Sequence, residues 1–270
     1  MKFAKFGKYL APGLAAWSLL AECAMTAPRI VSLDECADQY VLGLAPRADI
    51  AAVSDHAGLP DSWFRDRSKG LKQVRPSLES VLALHPTVVV RTWQGDARLL
   101  LKLQHYGIKV ISINDISTYS DARNALLRVG HELNEDASAL IEVHHFDAAL
   151  EDVRDIGHGR RVLYYTPSGY SLGAGTLVAD MMRRLGFRMA TQDQGAFYVS
   201  PEVVLGMTPD AFALAFYDDP YAMRRVPGRN PLVRAKITTT PHFSIPARAL
   251  LCSAWFSVYD LRDLSLKGTP

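Results

Sequence analysis

Residues 79–86 read ESVLALHP, and residues 202–209 read EVVLGMTP. Both stretches fit Glu-x-x-Leu-x-x-x-Pro, and both lead into a short apolar run. Proline disfavours helical backbone in the residue before it, so each stretch predicts a helix that ends ahead of the proline. A continuous apolar run is typical of a parallel strand that is covered on both faces. The repeat therefore predicts one helix–proline–strand unit in each half of the chain.

The segments around both stretches alternate between strand and helix patterns. Predicted strands span residues 30–33, 50–53, 88–91, 109–113, 161–165, 211–216 and 249–251. Predicted helices in the same two halves span residues 34–44, 97–106, 176–185 and 253–261. Strands that alternate with helices indicate α/β architecture with parallel sheets.

The middle of the chain departs from this alternation. Ser120 can cap a helix over residues 121–133, and Asn134 can cap a second helix over residues 135–156. A long helix between two α/β halves predicts a rigid connection between two lobes. The alternative is one more helix of a single sheet. The predicted boundaries are an N-terminal lobe, a connecting helix region and a C-terminal lobe, at residues 28–119, 120–157 and 158–270.

The N-terminus has the pattern of a secretory signal peptide. Lys2, Lys5 and Lys8 precede an apolar run over residues 9–21, which predicts a signal peptide over residues 1–24 and export of the mature chain. An amphipathic N-terminal helix is the alternative. Cys23 follows Glu22, which stands where a lipoprotein signal has a small residue. A lipid anchor is therefore the lesser alternative to simple cleavage.

Composition and charge indicate a globular protein and argue against nucleic-acid binding. The 270 residues are 49% hydrophobic and 21% charged, and the net charge is +2. The signal peptide carries three lysines and one glutamate, so the mature chain is neutral and has no basic footprint for nucleic acid.

Cys36 and Cys252 lie near opposite ends of the mature chain. An oxidising compartment permits a disulfide, but two separate buried cysteines are the default prediction.

The order of these elements resembles the helical-backbone, or class III, periplasmic-binding proteins, which serve importers of ferric siderophores, haem and cobalamin. The stretches that carry the resemblance are residues 29–39, 79–90, 106–110, 167–170, 173–177 and 202–210. The resemblance implies two lobes with parallel-rich sheets flanked by helices and joined by a long backbone helix. It also implies a non-enzymatic monomer, with no resident cofactor or metal, that binds a metal chelate and delivers it to an ABC permease in the inner membrane.

Two further stretches are similar to vitamin B12-binding members of that family. Residues 93–96 read WQGD, like a tryptophan loop after the third strand, and residues 253–256 read SAWF. In those members an acidic residue stands where this chain has Ala254, and an arginine stands where it has Val258. The two departures weaken the case for cobalamin specifically and leave the general prediction of a metal chelate in place.

Ligands of open α/β sheets bind outside the carboxyl ends of the strands, and this rule selects the predicted contacts. They are Trp93, Tyr170, Asp34, Gly169, Trp63 and Tyr217, and the resemblance over residues 253–256 adds Trp255. The aromatic side chains suit a large flat ligand. Packing of loop against loop is the alternative for Trp93 and Tyr170, whereas core packing is the favoured interpretation for Trp63 and Trp255. Asp218 and Asp219 could accept hydrogen bonds, or could instead shape a turn. Haem would need an axial ligand, for which Tyr170 or His56 could serve.

The main rival prediction is a serine hydrolase. Residues 169–173 read GYSLG, which matches the G-x-S-x-G nucleophile elbow, and Asp218 and His242 follow in the order of a triad. Pro167 and Ser168 separate the predicted strand from the turn, however, and no upstream segment resembles an oxyanion loop. The binding protein is therefore favoured, with no catalytic residue predicted.

Overall fold

The computed structural model describes residues 28–92, 97–217 and 226–268. The predicted signal peptide lies outside the described residues. The strands are β1 Ile30–Ser32, β2 Ile50–Ser54, β3 Gln73–Val74, β4 Val88–Arg91, β5 Lys109–Ser112, β6 Arg161–Tyr165, β7 Tyr170–Leu172, β8 Arg188–Met189, β9 Ala196–Tyr198, β10 Ala211–Ala215 and β11 His242–Ile245. The helices are α1 Glu35–Leu44, α2 Arg65–Ser68, α3 Leu78–Leu82, α4 Ala97–His105, α5 Tyr119–Leu133, α6 Asp136–Glu151, α7 Leu177–Arg184, α8 Pro201–Gly206, α9 Pro231–Thr239, α10 Ala247–Leu250 and α11 Ser257–Lys267. None of these helices is both long and apolar enough to cross a membrane.

The described strands form one parallel sheet in each half of the chain. The first sheet has the order β3-β2-β1-β4-β5, and the second has the order β11-β10-β6-β8. A separate antiparallel pair joins β7 and β9. Parallel sheets flanked by helices confirm the predicted α/β class.

The repeated sequence pattern occupies equivalent places in the two sheets. In the first half α3 leads into β4, which pairs with β1; in the second half α8 leads into β10, which pairs with β6. A serine caps each helix, because Ser77 accepts from Ser80 N and Ser200 accepts from Val203 N. The helix–proline–strand unit predicted for each half is thus confirmed, and it places the repeat beside the first strand of each sheet.

Two helices of similar length, α5 and α6, connect the sheets in place of one dominant helix. Thr118, rather than Ser120, caps α5 through a capping box with Asp121. Asn134 adopts the left-handed conformation with φ 63° and ends α5, rather than capping the next helix. The two helices pack closely, since a Cβ added at Gly130 would lie 2.3 Å from Ala139 Cβ.

The C-terminal segment does not stay with the second sheet. The predicted strand over residues 249–251 is wrong: those residues belong to α10 and the turn after it, and the edge strand is β11. After that turn the chain crosses back, so that Trp255 packs on Tyr40 of α1 with ring centroids 4.7 Å apart. α11 then packs on α6. Residues assigned from sequence to the C-terminal lobe therefore complete the core of the first.

A disulfide fixes this crossing. Cys36 at the start of α1 is bonded to Cys252 in the turn after α10, with Cα atoms 5.4 Å apart. The default prediction of two separate cysteines is wrong, because the return of the C-terminal segment brings together residues 216 positions apart.

Reduction of this bond should lower the free energy of unfolding by about 2–5 kcal/mol, because the unfolded chain regains the freedom that the cross-link removes. Urea unfolding with and without dithiothreitol measures the effect. The double variant Cys36→Ser/Cys252→Ser is the control, and reductant should leave its midpoint unchanged. An oxidised wild-type protein that is no more stable than this variant would contradict the prediction.

Candidate ligand-binding cleft

A cleft of about 690 Å³ lies between the two lobes. One wall consists of segments that follow β1, β2, β4 and β5, at the carboxyl edge of the first sheet. The other wall runs from Leu172 into α7 and includes the turn after α10. Parallel strands bring their carboxyl ends together at one edge, which is where open α/β sheets bind ligands. The cleft therefore lies where the strand order predicts a ligand site.

Asp34 holds the loop after β4 against the start of α1. Its Oδ1 caps α1 by accepting from Ala37 N at 2.8 Å, and it also accepts from Thr92 Oγ1 at 2.5 Å. Its Oδ2 accepts from Thr92 N at 2.8 Å. Asp34 lines the cleft, but both of its oxygens are engaged within the protein. Asp34 thus positions Thr92 against the start of α1, and its contact with a ligand stays a prediction.

A buried carboxylate supports the same wall from behind. Asp38 on α1 accepts hydrogen bonds from Ser32 Oγ, from Ser54 N at 2.9 Å and from Ser54 Oγ at 2.6 Å. Burial raises the pKa of Asp38, and the serine hydrogen bonds oppose that rise. Ser54 Oγ in turn accepts from His56 N at 3.2 Å. This network connects β1 and β2 and holds the loop that presents His56.

Glu35 and His56 are two titratable side chains that line the first-lobe wall of the cleft. Burial raises the pKa of Glu35 to about 7; the carboxylates of Asp38, Asp61 and Asp34 raise it further, whereas His56 opposes the shift. Glu35 Oε1 is buried and has no hydrogen-bond partner in the described chain. The cleft thus contains a carboxyl group that changes its charge near neutral pH.

The second-lobe wall depends on a tight turn before α7. Thr176 caps α7 by accepting from Ala179 N at 3.2 Å and donates to Gly173 O at 2.7 Å. A Cβ at Gly173 would lie 2.0 Å from Asp193 O, so only glycine fits there. The cap and the close approach together place the first turn of α7 in the cleft wall.

The predicted contacts of the second lobe are not among the described residues that line the cleft. Tyr170 is 51% exposed and packs edge-on against Tyr198 of the antiparallel pair. Gly169 has φ 86°, and a Cβ there would meet the Tyr198 ring at 2.8 Å. Tyr217 donates from its hydroxyl to Gly228 O at 3.3 Å. These residues shape the loops after β6 and β10.

Three predicted contacts, namely Trp93, Asp218 and Asp219, lie outside the described residues. Thr92, which precedes the first of them, lines the cleft and is held by Asp34. The contact of Trp93 with a ligand stays a prediction.

Trp63 and Trp255 belong to the core that the returning C-terminal segment builds. Trp255 is 0% exposed. Trp63 stacks on Phe256 with centroids 5.3 Å apart, and the Arg248 guanidinium lies 4.9 Å from its ring centre. Both indoles therefore pack in the core, as the alternative to ligand contact predicts. Their large aromatic surfaces fill the space where the C-terminal segment packs on α1.

The hydrolase prediction finds no support. Ser171 lies within β7, pairs with Phe197 of β9 and is 0% exposed, whereas an elbow serine is exposed on a sharp turn. His242 begins β11, and its register with Phe212 and Leu163 puts it away from the carboxyl edge of the sheet.

Sequence reasoning missed two polar groups of the cleft. Glu35 follows Asp34 in the loop after the first strand, where the rule on carboxyl ends of strands places ligand contacts. The neighbouring sequence does not indicate that its carboxyl group is buried. Tyr40 falls on the apolar side of α1, so the spacing predicts only a core residue. Its hydroxyl is nevertheless buried without a partner in the described chain, and the residue lines the cleft. The missing signal is the C-terminal segment, whose return creates the surroundings of both groups.

Replacing Asp34 by alanine should destabilise the protein by about 1–2 kcal/mol, because α1 loses its cap and Thr92 loses its acceptors. Asp34→Asn is the matched control, since asparagine also caps helices and should cost less. Urea unfolding of both variants measures the difference. Equal stability of Asp34→Ala and the wild type would show that the clamp is dispensable.

Glu35→Gln should change how stability depends on pH. The pKa of Glu35 in the folded protein, about 7, exceeds the ordinary value of 4.5, so its stabilising effect is present in acid and is lost as the pH rises through about 7. Relative to the wild type, the variant should gain melting temperature between about pH 5 and pH 8. Parallel thermal melts that keep a constant difference over that range would refute the expectation.

Comparison with known proteins places the chain in a family. A family model described as periplasmic binding protein matches residues 30–214, which is more than half of the chain. A search of curated protein sequences returns no significant match.

Several solved structures share the fold. The periplasmic haem-binding protein HutB of Vibrio cholerae aligns with a TM-score of 0.69 at 19% identity, covering 90% of this chain and 99% of that one. The haem-binding protein RhuT from Roseiflexus sp. RS-1 gives 0.68 at 19%, covering 89% and 97%. The vitamin B12-binding protein BtuF of Vibrio cholerae gives 0.63 at 18%, covering 88% and 94%. Together with the family match, these alignments show that the chain belongs to the periplasmic binding protein family.

Proposed function

We propose that this protein captures a bulky metal-chelate ligand, of the class that includes ferric siderophores, cobalamin and haem, and delivers it to an ABC permease in the inner membrane. The observation that carries the proposal is the cleft between the two lobes, which lies at the carboxyl edge of the first sheet. Its volume of about 690 Å³ lies in the range of sites for cofactor-sized ligands. The similar structures named for haem and vitamin B12 support this ligand class.

The lining favours a large organic ligand. Apolar side chains come from both lobes and include Ile113, Ile116, Leu172, Leu177 and Val178. Most of the polar lining side chains sit on the first-lobe wall, and Thr176 and Ser253 lie on the other wall. A mostly apolar surface with a few oriented polar groups is typical of pockets that bind such ligands. Trp93 and Tyr170 remain our proposed aromatic contacts of the ligand.

Export completes the proposal. Members of the family act in the periplasm, and the pattern of residues 1–24 supports a cleaved signal peptide. The disulfide between Cys36 and Cys252 fits an oxidising compartment. We propose a monomer that is released after cleavage, with a lipid anchor at Cys23 as the lesser alternative.

Thermal-shift measurements test the function. At a ligand concentration about 100 times the Kd, binding to the native state adds about 2.7 kcal/mol, and the melting temperature should rise by roughly 5–10 °C. The probes are cyanocobalamin, haemin, ferrioxamine B and ferric enterobactin. The metal-free siderophores and the free metal salts are the controls, and they should give a smaller shift than the chelates. The absence of a shift with every chelate would overturn the proposal.

A further inference from the structure

The described lining of the cleft carries acidic groups without basic partners. Asp34, Glu35 and Asp115 line it, together with the imidazole of His56. No lysine or arginine occurs among the described lining residues. Arg91, at the end of β4, is buried and is not part of the lining. From this described lining a polyanionic ligand would therefore meet repulsion and little compensating charge.

Two acceptor groups in this lining have no partner in the described protein. Glu35 Oε1 and the Tyr40 hydroxyl are both buried without a hydrogen bond, and Tyr40 is only 1% exposed. Polar groups withdrawn from water cost free energy unless they are hydrogen-bonded. A ligand that donates hydrogen bonds to them would recover that cost. Both belong to α1, whose N-terminus Asp34 and the disulfide hold in place.

We propose that the cleft selects metal chelates that are neutral or positively charged and that present N–H donors, with Glu35 and the Tyr40 hydroxyl as the acceptors, and that it rejects polyanionic chelates. This selection rests on the proposed function and narrows its ligand class. Primary amides on a corrinoid and the amine of a cationic hydroxamate siderophore share the required chemistry. Catecholate chelates and the propionates of haem have the opposite charge.

The charge state of Glu35 gives the selection a pH signature. Burial and the nearby carboxylates of Asp34, Asp38 and Asp61 raise its pKa to about 7, against the opposing effect of His56. Ionised acceptors form stronger hydrogen bonds than neutral ones. Binding of a neutral or cationic donor should therefore strengthen as the pH rises through about 7, whereas binding of a polyanion should weaken.

Calorimetric titration of the full mature protein at about pH 6 and pH 8 tests this inference. At the higher pH, cyanocobalamin or ferrioxamine B should bind at least about tenfold more tightly than haemin and ferric enterobactin. The affinity of the better probe should increase between the two pH values. These measurements need no variant, and the comparison between the two favoured probes distinguishes an amide-bearing corrinoid from a cationic siderophore.

Two variants test whether Glu35 and Tyr40 are the groups that select the ligand. Glu35→Gln should weaken the favoured probe by about tenfold at the higher pH and remove its pH dependence. Tyr40→Phe should weaken it about three- to tenfold. Glu79→Gln and Tyr106→Phe make the same chemical changes at exposed positions outside the cleft and should bind as the wild type does.

The outcomes separate this inference from the function beneath it. Tighter binding of haemin or ferric enterobactin, or equal binding of all four probes, overturns the selection and leaves the chelate-binding function standing. Unchanged binding by both cleft variants also overturns it, because other groups would then recognise the ligand. A protein that binds none of the four probes refutes both proposals.

Discussion

One hydrophobic core runs from the first lobe through the connecting helices into the second, and the geometry of the cleft depends on its continuity. Ile30, Phe146, Val162 and Trp255 belong to the same buried cluster. Tyr119 stands at its junction, where its N–H donates to Asp180 Oδ2 of α7 at 2.9 Å and its ring packs within 6.0 Å of Phe146. Because buried side chains are close-packed, such a core resists relative movement of the parts that share it. A ligand would therefore meet walls that are largely formed in advance.

Much of the fold could be predicted from the sequence because its decisive signals are local. The sequence predicts a strand at residues 88–91 and β4 has these bounds, because a parallel strand that is buried on both faces has a nearly continuous apolar sequence. The Glu-x-x-Leu-x-x-x-Pro repeat likewise predicts the helix–proline–strand unit of each half, because the proline that ends the helix and the apolar strand that follows are both local signals. The rule about carboxyl ends then selected loops that do line the cleft, including those that carry Asp34 and His56.

The remaining features depend on contacts between distant parts of the chain, which no local pattern encodes. Trp63, Trp255 and the two bonded cysteines owe their places to the return of the C-terminal segment onto α1. The break between α5 and α6 depends on Asn134 in a left-handed conformation, a role that its sequence context leaves indistinguishable from an N-cap. The sequence alone therefore cannot decide whether an aromatic residue of a loop contacts a ligand or packs in the core, and Trp63 and Trp255 pack in the core.

The cross-link between Cys36 and Cys252 also orders events in time. A chain that crosses the membrane from its N-terminus presents the first cysteine early and the second only when translocation is almost complete. Both cysteines line the cleft, one in each wall, so the cross-link between the walls can form only on a fully exported chain. A product that is truncated before Cys252 would keep a free thiol at the start of α1 and would lack the covalent bond between the two walls.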